Sequence, residues 1–261
     1  MKVLFITQND PIYVRLFFEE LFQLAQGRVE IVEVVVAPAM GQKSLVALVR
    51  QMWNFYGPLD FLRVGMRYAA LRVLAALPGP LRGGKTGSVR QVARAHGIAV
   101  CTVADVNADE FVDLVRARGV DVIASVAAPQ IFRAPLLGAA RLGCINIHNS
   151  VLPKYRGMLP NFWQMYHGER SVGTTVHRLN ARLDDGAILA QSASPVVPGE
   201  SLDQLIRRTK RGGARLMLET LEALKAGTAT EGPNPASEGS YFSFPTRADV
   251  REFRRRGLRL I

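Results

Sequence analysis

Several things that would place a chain at a glance are scarce or missing here. Cysteine occurs twice in 261 residues, at Cys101 and Cys144. Each sits in an apolar, strand-like run, so no disulfide framework or thiolate metal cluster is available, and both read as reduced core residues. Long hydrophobic runs are missing too: the stretch 59–77 is interrupted by Arg63, Arg67 and Arg72, which excludes a bilayer span. The opening MKVLFITQND has no long apolar h-region and no small-residue cleavage site. It reads as a first strand rather than a secretion signal, so the cytoplasm is the expected compartment. The turn after that strand is TQNDP, without G-x-G-x-x-G, so nothing there cradles a dinucleotide pyrophosphate. Acid is scarce relative to base, with 22 Asp and Glu against 33 Lys and Arg, a net charge of +11. That excess favours an acidic partner, whether a phosphorylated small molecule, a nucleic acid or an anionic membrane. No base-reading or base-stacking module is recognisable, which argues against nucleic acid.

What is present is a βα rhythm in a chain that is 48% hydrophobic and long enough to bury a full core. Residues 2–7 form a strand apolar on both faces, 12–25 a helix with apolar residues at helical spacing, and 29–37 a second, valine-rich strand. The rhythm then breaks. Residues 39–86 form an apolar and basic insertion whose one acid is Asp60, read as two helices broken at Gly57-Pro58 with arginines reaching out from apolar faces. It resumes with a helix at 88–96, a strand at 98–103, a helix at 107–118 capped by Asn107, and a buried strand at 120–127. Alternation of this kind implies an α/β fold: a Rossmann-like, mainly parallel twisted sheet with helices on both faces and ligands at the carboxyl ends of the strands. Residues 201–225 read as one long helix opened by Ser201, with a basic stripe of Arg207, Arg208, Lys210, Arg211 and Arg215. Its Gly212-Gly213 pair implies a kink or a close approach. The expected division is a domain over 1–226 and a small C-terminal appendage over 227–261, with a short strand near 241–244 and a basic helix.

The informative stretch runs from 143 to 191: GCINIHNSVLPKYRGMLPNFWQMYHGERSVGTTVHRLNARLDDGAILAQ. Its start reads as a strand end, and side chains two apart in a strand share a face, which sets the Asn146 carboxamide beside the His148 imidazole. A Pro/Gly-punctuated loop, a short helix at 161–167, a strand at 173–179 and an LDDG turn at 183–186 follow. An amide donor, an imidazole and a carboxylate at strand ends suit transfer of a one-carbon acyl group to an amine. The amide and a protonated imidazole can stabilise the oxyanion, and an imidazole with a carboxylate partner can move the proton. No metal is required.

The run N-I-H-x-S-x-L-P-x-Y-R-G, followed by G-x-T-x-H and L-D-x-G, resembles the signature of the folate-dependent formyltransferases. That superfamily includes the methionyl-tRNA, glycinamide-ribonucleotide and sugar-nucleotide N-formyltransferases. The resemblance implies 10-formyltetrahydrofolate as donor and a catalytic trio of Asn146, His148 and Asp184. The carboxylate falls on Asp184 because the family places it two residues before the glycine, here Gly186. Position 149, commonly small or Pro in the family, is Asn149. The loop after the strand at 120–127 resembles the donor site, which implicates Ala127, Ala128, Gln130, Ile131 and Phe132, with His177 nearby.

The acceptor expected from the loop residues is a primary amine on a small molecule, phosphorylated or nucleotide-linked: an amino sugar carried on a nucleotide. Three other readings stay open: a methionyl-tRNA formyltransferase-like enzyme, a formyltetrahydrofolate hydrolase, and a folate-binding relative without catalysis. The tRNA reading is set second because about three dozen residues follow Lys225, too few for an independent core. For the insertion, packing over the sheet, a homodimer contact and docking to the inner face of a membrane are all open.

Overall fold

The computed structural model describes residues 1–38 and 44–261. The first five positions of the insertion, 39–43, therefore lie outside the described residues. In chain order the elements are β1 (Lys2–Thr7), α1 (Val14–Leu24), β2 (Glu30–Val36), α2 (Leu45–Ala76), α3 (Val89–Ala95), β3 (Val100–Thr102), α4 (Asp109–Ala117), β4 (Val122–Val126) and α5 (Ala134–Leu137). There follow β5 (Cys144–His148), β6 (Arg156–Gly157), α6 (Pro160–Tyr166), β7 (Ser171–Arg178), β8 (Ile188–Pro195), α7 (Leu202–Ala226), β9 (Tyr241–Phe242) and α8 (Arg247–Arg255).

Seven strands form one sheet in the order β3-β2-β1-β4-β5-β7-β8. The first five are mutually parallel, and β7 and β8 are added antiparallel. The central strands are apolar on both faces because helices cover both. Val3 and Phe5 pack toward α1, α3 and α7, while Leu4 and Ile6 pack toward α4 and α5. Strand order reverses between β1 and β4, so their carboxyl ends splay apart and leave a crevice, the usual ligand position in an open α/β sheet.

The insertion does break where Gly57-Pro58 implies. Gly57 has φ 69° and ψ 174° inside α2, a left-handed conformation open to glycine, and Pro58 restarts the helix. Arg67 departs from expectation. It turns inward and pairs with Asp203 at 2.7 Å, where Tyr13 and Arg207 also donate to the same carboxylate. The Asp203 carboxyl is held low by these hydrogen bonds, against burial, which pushes the other way.

The structure sharpens or changes four further readings. Asn107 does not cap α4, whose N-cap is Ala108. Its carboxamide instead donates to the Ile131 carbonyl and accepts from the Arg133 N–H, bracing the loop after β4. The Gly212-Gly213 pair marks a close approach: α7 runs on with helical dihedrals, and a Cβ on Gly213 would sit 2.9 Å from Ile147 Cδ1. The basic stripe of α7 is split, because Lys210 is buried while Arg207, Arg208 and Arg215 pair with Asp203, Glu200 and Glu20. Residues 227–261 do not hang apart from the body. Phe242, Phe244, Val250, Phe253 and Leu260 pack with Phe55 of α2, Phe162 and Trp163 of α6, and Leu205 of α7 in a third apolar cluster. Both cysteines are free, and burial pushes the thiols up, Cys101 to about 11 and Cys144 to about 12.

Candidate active site

Asn146 and His148 end β5, and the antiparallel register sets Asn146 opposite His177 and His148 opposite Thr175 on β7. Four polar side chains thus share one face at the switch from parallel to antiparallel pairing. The carboxylate arrives from the turn after β7. Asp184 has φ 50°, a left-handed conformation that Asp tolerates better than most residues, and its side chain is buried. The neighbouring Asp185 is turned away onto Arg156 (3.0 Å) and Arg182 (2.8 Å), so only the first carboxylate of LDDG faces the cavity. Gly186 permits this turn: a Cβ there would lie 2.0 Å from the Arg178 carbonyl oxygen.

The hydrogen bonds fix the protonation pattern. His177 Nδ1 donates to the Arg178 carbonyl at 2.7 Å, which leaves Nε2 as the acceptor for the Asn146 amide N–H at 3.1 Å. Burial pushes His177 down to about 4, with the Arg178 carbonyl and the Asp184 charge opposing, so the ring is neutral near pH 7. The Asn146 nitrogen keeps its second N–H. His148 Nε2 donates to the Tyr155 carbonyl at 2.9 Å, which leaves Nδ1 as a lone pair 3.6 Å from Asp184 Oδ2. That carboxylate accepts the Gly157 N–H at 3.1 Å, and its other oxygen lies 3.7 Å from His177 Nε2.

The loop between β5 and α6 is held by residues far along the chain. β6 pairs with β9, the Tyr155 N–H donates to Ser240 Oγ (2.9 Å), and Asn234 donates to the carbonyls of Asp184 (3.0 Å) and Gly186 (2.9 Å). Gly157, at φ 94°, passes so close to β9 that a Cβ would meet the Phe242 carbonyl at 2.3 Å.

Two cavities meet at this face. The first, about 390 Å³, is lined by Asn146, His148 and Asp184, by Ala127, Ala128, Gln130, Ile131 and Phe132, and by the 179–183 loop. Its walls are mostly apolar or backbone, and Gln130 spends its side chain on the loops themselves, bonding Val106, Pro38 and Ala104. Ala127 adopts φ 51°, which turns the chain sharply at the end of β4. Such a slot suits a flat heterocycle read by backbone groups. His177 does not line it; fully buried, it stands behind Asn146. The second cavity, about 490 Å³, lies between α2, the loop after β1, the start of α7 and the C-terminal stretch; it shares Ala127, Asn149, Gly157 and Lys210 with the first.

Lys210, Asn234 and the Tyr155 carbonyl escape the sequence reading. Lys210 stands at the boundary of both cavities, and burial lowers its ammonium pKa while Asp10 counteracts this. The signal was its spacing, since Ile206, Lys210, Gly213 and Met217 fall at helical intervals on a buried face. Among the described residues no cluster of three or more His, Cys, Asp or Glu side chains could hold a metal.

A family model described as formyl transferase matches residues 79–221. Among curated proteins, a methionyl-tRNA formyltransferase of Trichlorobacter lovleyi is 35% identical over 153 residues, covering 59% of this chain and 48% of its own. The chain thus spans about half the length of the curated relatives it matches. Among solved structures, glycinamide ribonucleotide transformylase 1 from Symbiobacterium toebii superposes with a TM-score of 0.59 at 19% identity, over 87% of this chain and 88% of that one. WlaRD, a sugar 3N-formyl transferase crystallised in the presence of dTDP and 5-N-formyl-THF, gives 0.59 at 16% identity, over 100% and 82%. These structural likenesses carry the fold. The family model covers more than half of the chain and contains every residue around which the first cavity closes, and on that ground the chain belongs to the formyl transferase family.

Proposed function

We propose that the protein transfers a formyl group from 10-formyltetrahydrofolate to a primary amine. The observation that carries this reading is the convergence of Asn146, His148 and Asp184 on a slot whose opposite wall is the 127–132 loop. The slot has the volume and the apolar, backbone-rich lining that a pterin needs. Bound there, the folate supplies an activated formyl carbon. The free N–H of Asn146 faces the charge that develops on the formyl oxygen, and His177 fixes the amide so that nitrogen, not oxygen, is presented. His148, with its proton held on Nε2 by the Tyr155 carbonyl, takes the proton of the attacking amine at Nδ1. Asp184 then faces an imidazolium and stabilises it until the proton passes to the departing nitrogen.

The acceptor enters by the second cavity. A small amine is the first reading, an amino sugar carried on a nucleotide, supported by the loop residues LPKYRGMLPNFWQMYHGE and by the buried Lys210 on the wall of this cavity. Lys210 then receives an anionic group. Methionyl-tRNA is the second reading, and two observations favour it. The curated relatives matched carry that name, and Met52, Phe55, Leu202, Ile206 and Phe244 give the cavity an apolar wall able to take an apolar side chain. The earlier expectation that nucleic acid is not a partner is accordingly dropped.

The deciding experiment offers amino-sugar nucleotides, hydroxyornithine and methionyl-tRNA to the protein with 10-formyltetrahydrofolate, with mass spectrometry for gain of one formyl group. Product on an amino-sugar nucleotide supports the first reading, and product on tRNA alone the second. Formate release without any amine makes the protein a hydrolase, and absence of folate binding overturns the proposal.

A further inference from the structure

Most of the exposed large hydrophobic side chains among the described residues lie between Val46 and Leu81. On α2 they fall into a stripe. After the Gly57 break, Leu59, Leu62, Met66 and Val73 are 72%, 59%, 58% and 61% exposed, and their spacing of three, four and seven residues keeps them within one narrow sector of the helix. Before the break, Val46, Val49 and Trp53 repeat the pattern. The opposite side of the same helix is occupied: Phe55 is buried in the third cluster, and Arg67 is paired with Asp203. The outward stripe is therefore a second apolar face, of the kind that marks an interaction surface.

Charge identifies what covers it. Arg63 and Arg72 flank the stripe, Arg50 lies beside Trp53, and Arg50 and Arg72 have no carboxylate partner among the described residues. α8 packs on α2, where Arg254 bonds the Tyr56 carbonyl (2.5 Å) and Asp60 (3.0 Å). Asp60 is the one acid between positions 44 and 86, and Arg63 and Arg254 already share it. A second copy of this chain meeting the face symmetrically would bring unneutralised arginines together. A phosphate backbone would satisfy the arginines but leave Leu59, Leu62, Met66 and Val73 in water. A bilayer with anionic headgroups satisfies both, with apolar side chains sunk below the headgroups, arginines among the phosphates, and Trp53 at interfacial depth.

We propose that α2 docks the protein on an anionic membrane surface through this stripe, with the helix lying in the interface and not spanning it. No helix among the described residues is long and apolar enough to cross. The inner side of α2 contributes Met52, Phe55 and Tyr56 to the second cavity, so one helix joins the membrane face to the cavity wall.

The test is co-sedimentation of the full chain with vesicles of phosphatidylcholine alone or with about one third phosphatidylglycerol, together with a solution mass measurement. Partitioning is expected to favour the anionic vesicles roughly tenfold or more and to fall with salt. Leu62→Glu combined with Met66→Glu is expected to abolish it at unchanged thermal stability, since both side chains are exposed. Arg50→Glu with Arg72→Glu is expected to remove the lipid preference. The proposal is overturned if wild type ignores anionic vesicles, if the glutamate pair binds them as well as wild type does, or if that pair converts a dimer to a monomer. It is overturned equally if the protein binds RNA through the stripe while leaving vesicles in solution.

Discussion

The two cavities share a wall but are built from different parts of the chain. The first takes its entire lining from residues between Ser125 and Lys210, inside the stretch that matches the formyl transferase model. The second borrows from outside that stretch: Gln8, Asp10 and Tyr13 after β1, Met52, Phe55 and Tyr56 from α2, and Phe244 and Leu260 from the C-terminal residues. On the proposed function, chemistry and selectivity are thereby separable. The first cavity needs a carboxamide, an imidazole and a carboxylate at fixed geometry, and a sheet with two antiparallel strands added to a parallel set provides it. The second needs only a shape, which a helix broken by one glycine and a returning tail can change without disturbing the strands.

The largest effect expected belongs to the first cavity. Asn146→Ala should lower turnover by roughly a hundredfold or more, as removal of an oxyanion donor does, and Asp184→Asn by about as much or more, because the His148 imidazolium loses its counter-charge, with acceptor and folate binding nearly unchanged in both. A loss of only a few-fold in single-turnover kinetics would break the assignment of chemistry to this side. Lys210→Met sharpens the comparison from the boundary. It should raise the acceptor KM about tenfold or more while folate binding, read by fluorescence, stays as in wild type, because a hydrogen bond to a charged group contributes about 1.5–3 kcal/mol. If the folate term moves instead, Lys210 serves the first cavity. Asn234→Ala removes two hydrogen bonds from the Asp184 turn and should cost about 1–3 kcal/mol of stability in a urea titration, with a few-fold loss of turnover.

The smallest effect near neutrality is a slope. His177 titrates near 4 in the folded protein and near 6.5 when unfolded, so between those values the unfolded chain binds more protons. Its contribution is complete above about pH 6.5 and is lost as pH falls toward 4; from pH 7 to 6 the change is less than about 1 kcal/mol. His177→Gln should flatten this part of the stability–pH curve, and an unchanged slope would mean that another group carries it.

The same division decides what could be read from the sequence. Runs such as VLFI in β1 and VIAS in β4 announce strands buried on both faces, and Gly57-Pro58 announces a break, because these are local rules of backbone and solvent. The pairing of Asn146 with His148 follows from the two-residue period of β5, whereas Asp184 was found by family resemblance, since its approach depends on a left-handed turn and a carbonyl 2.0 Å from a missing Cβ. β8 passed unread because it is an edge strand whose burial alternates without a strong apolar face. β6 is two residues long and acquires meaning only by finding, 85 positions on, β9, which falls inside the strand read at 241–244. Arg67 was read as reaching out from an apolar face and Lys210 as one member of a basic stripe, and only packing shows that both turn inward.

The β6–β9 pairing also orders events in time. A growing chain leaves the ribosome from its amino end, so Asn146, His148 and Asp184 emerge well before Asn234, Ser240 and Phe242. The loop carrying the Tyr155 carbonyl and the Gly157 N–H has no partner strand until those later residues appear. A nascent or prematurely released chain therefore holds the three reacting groups without the brace that aims them. On the proposed function, a fragment ending before β9 is expected to consume no folate.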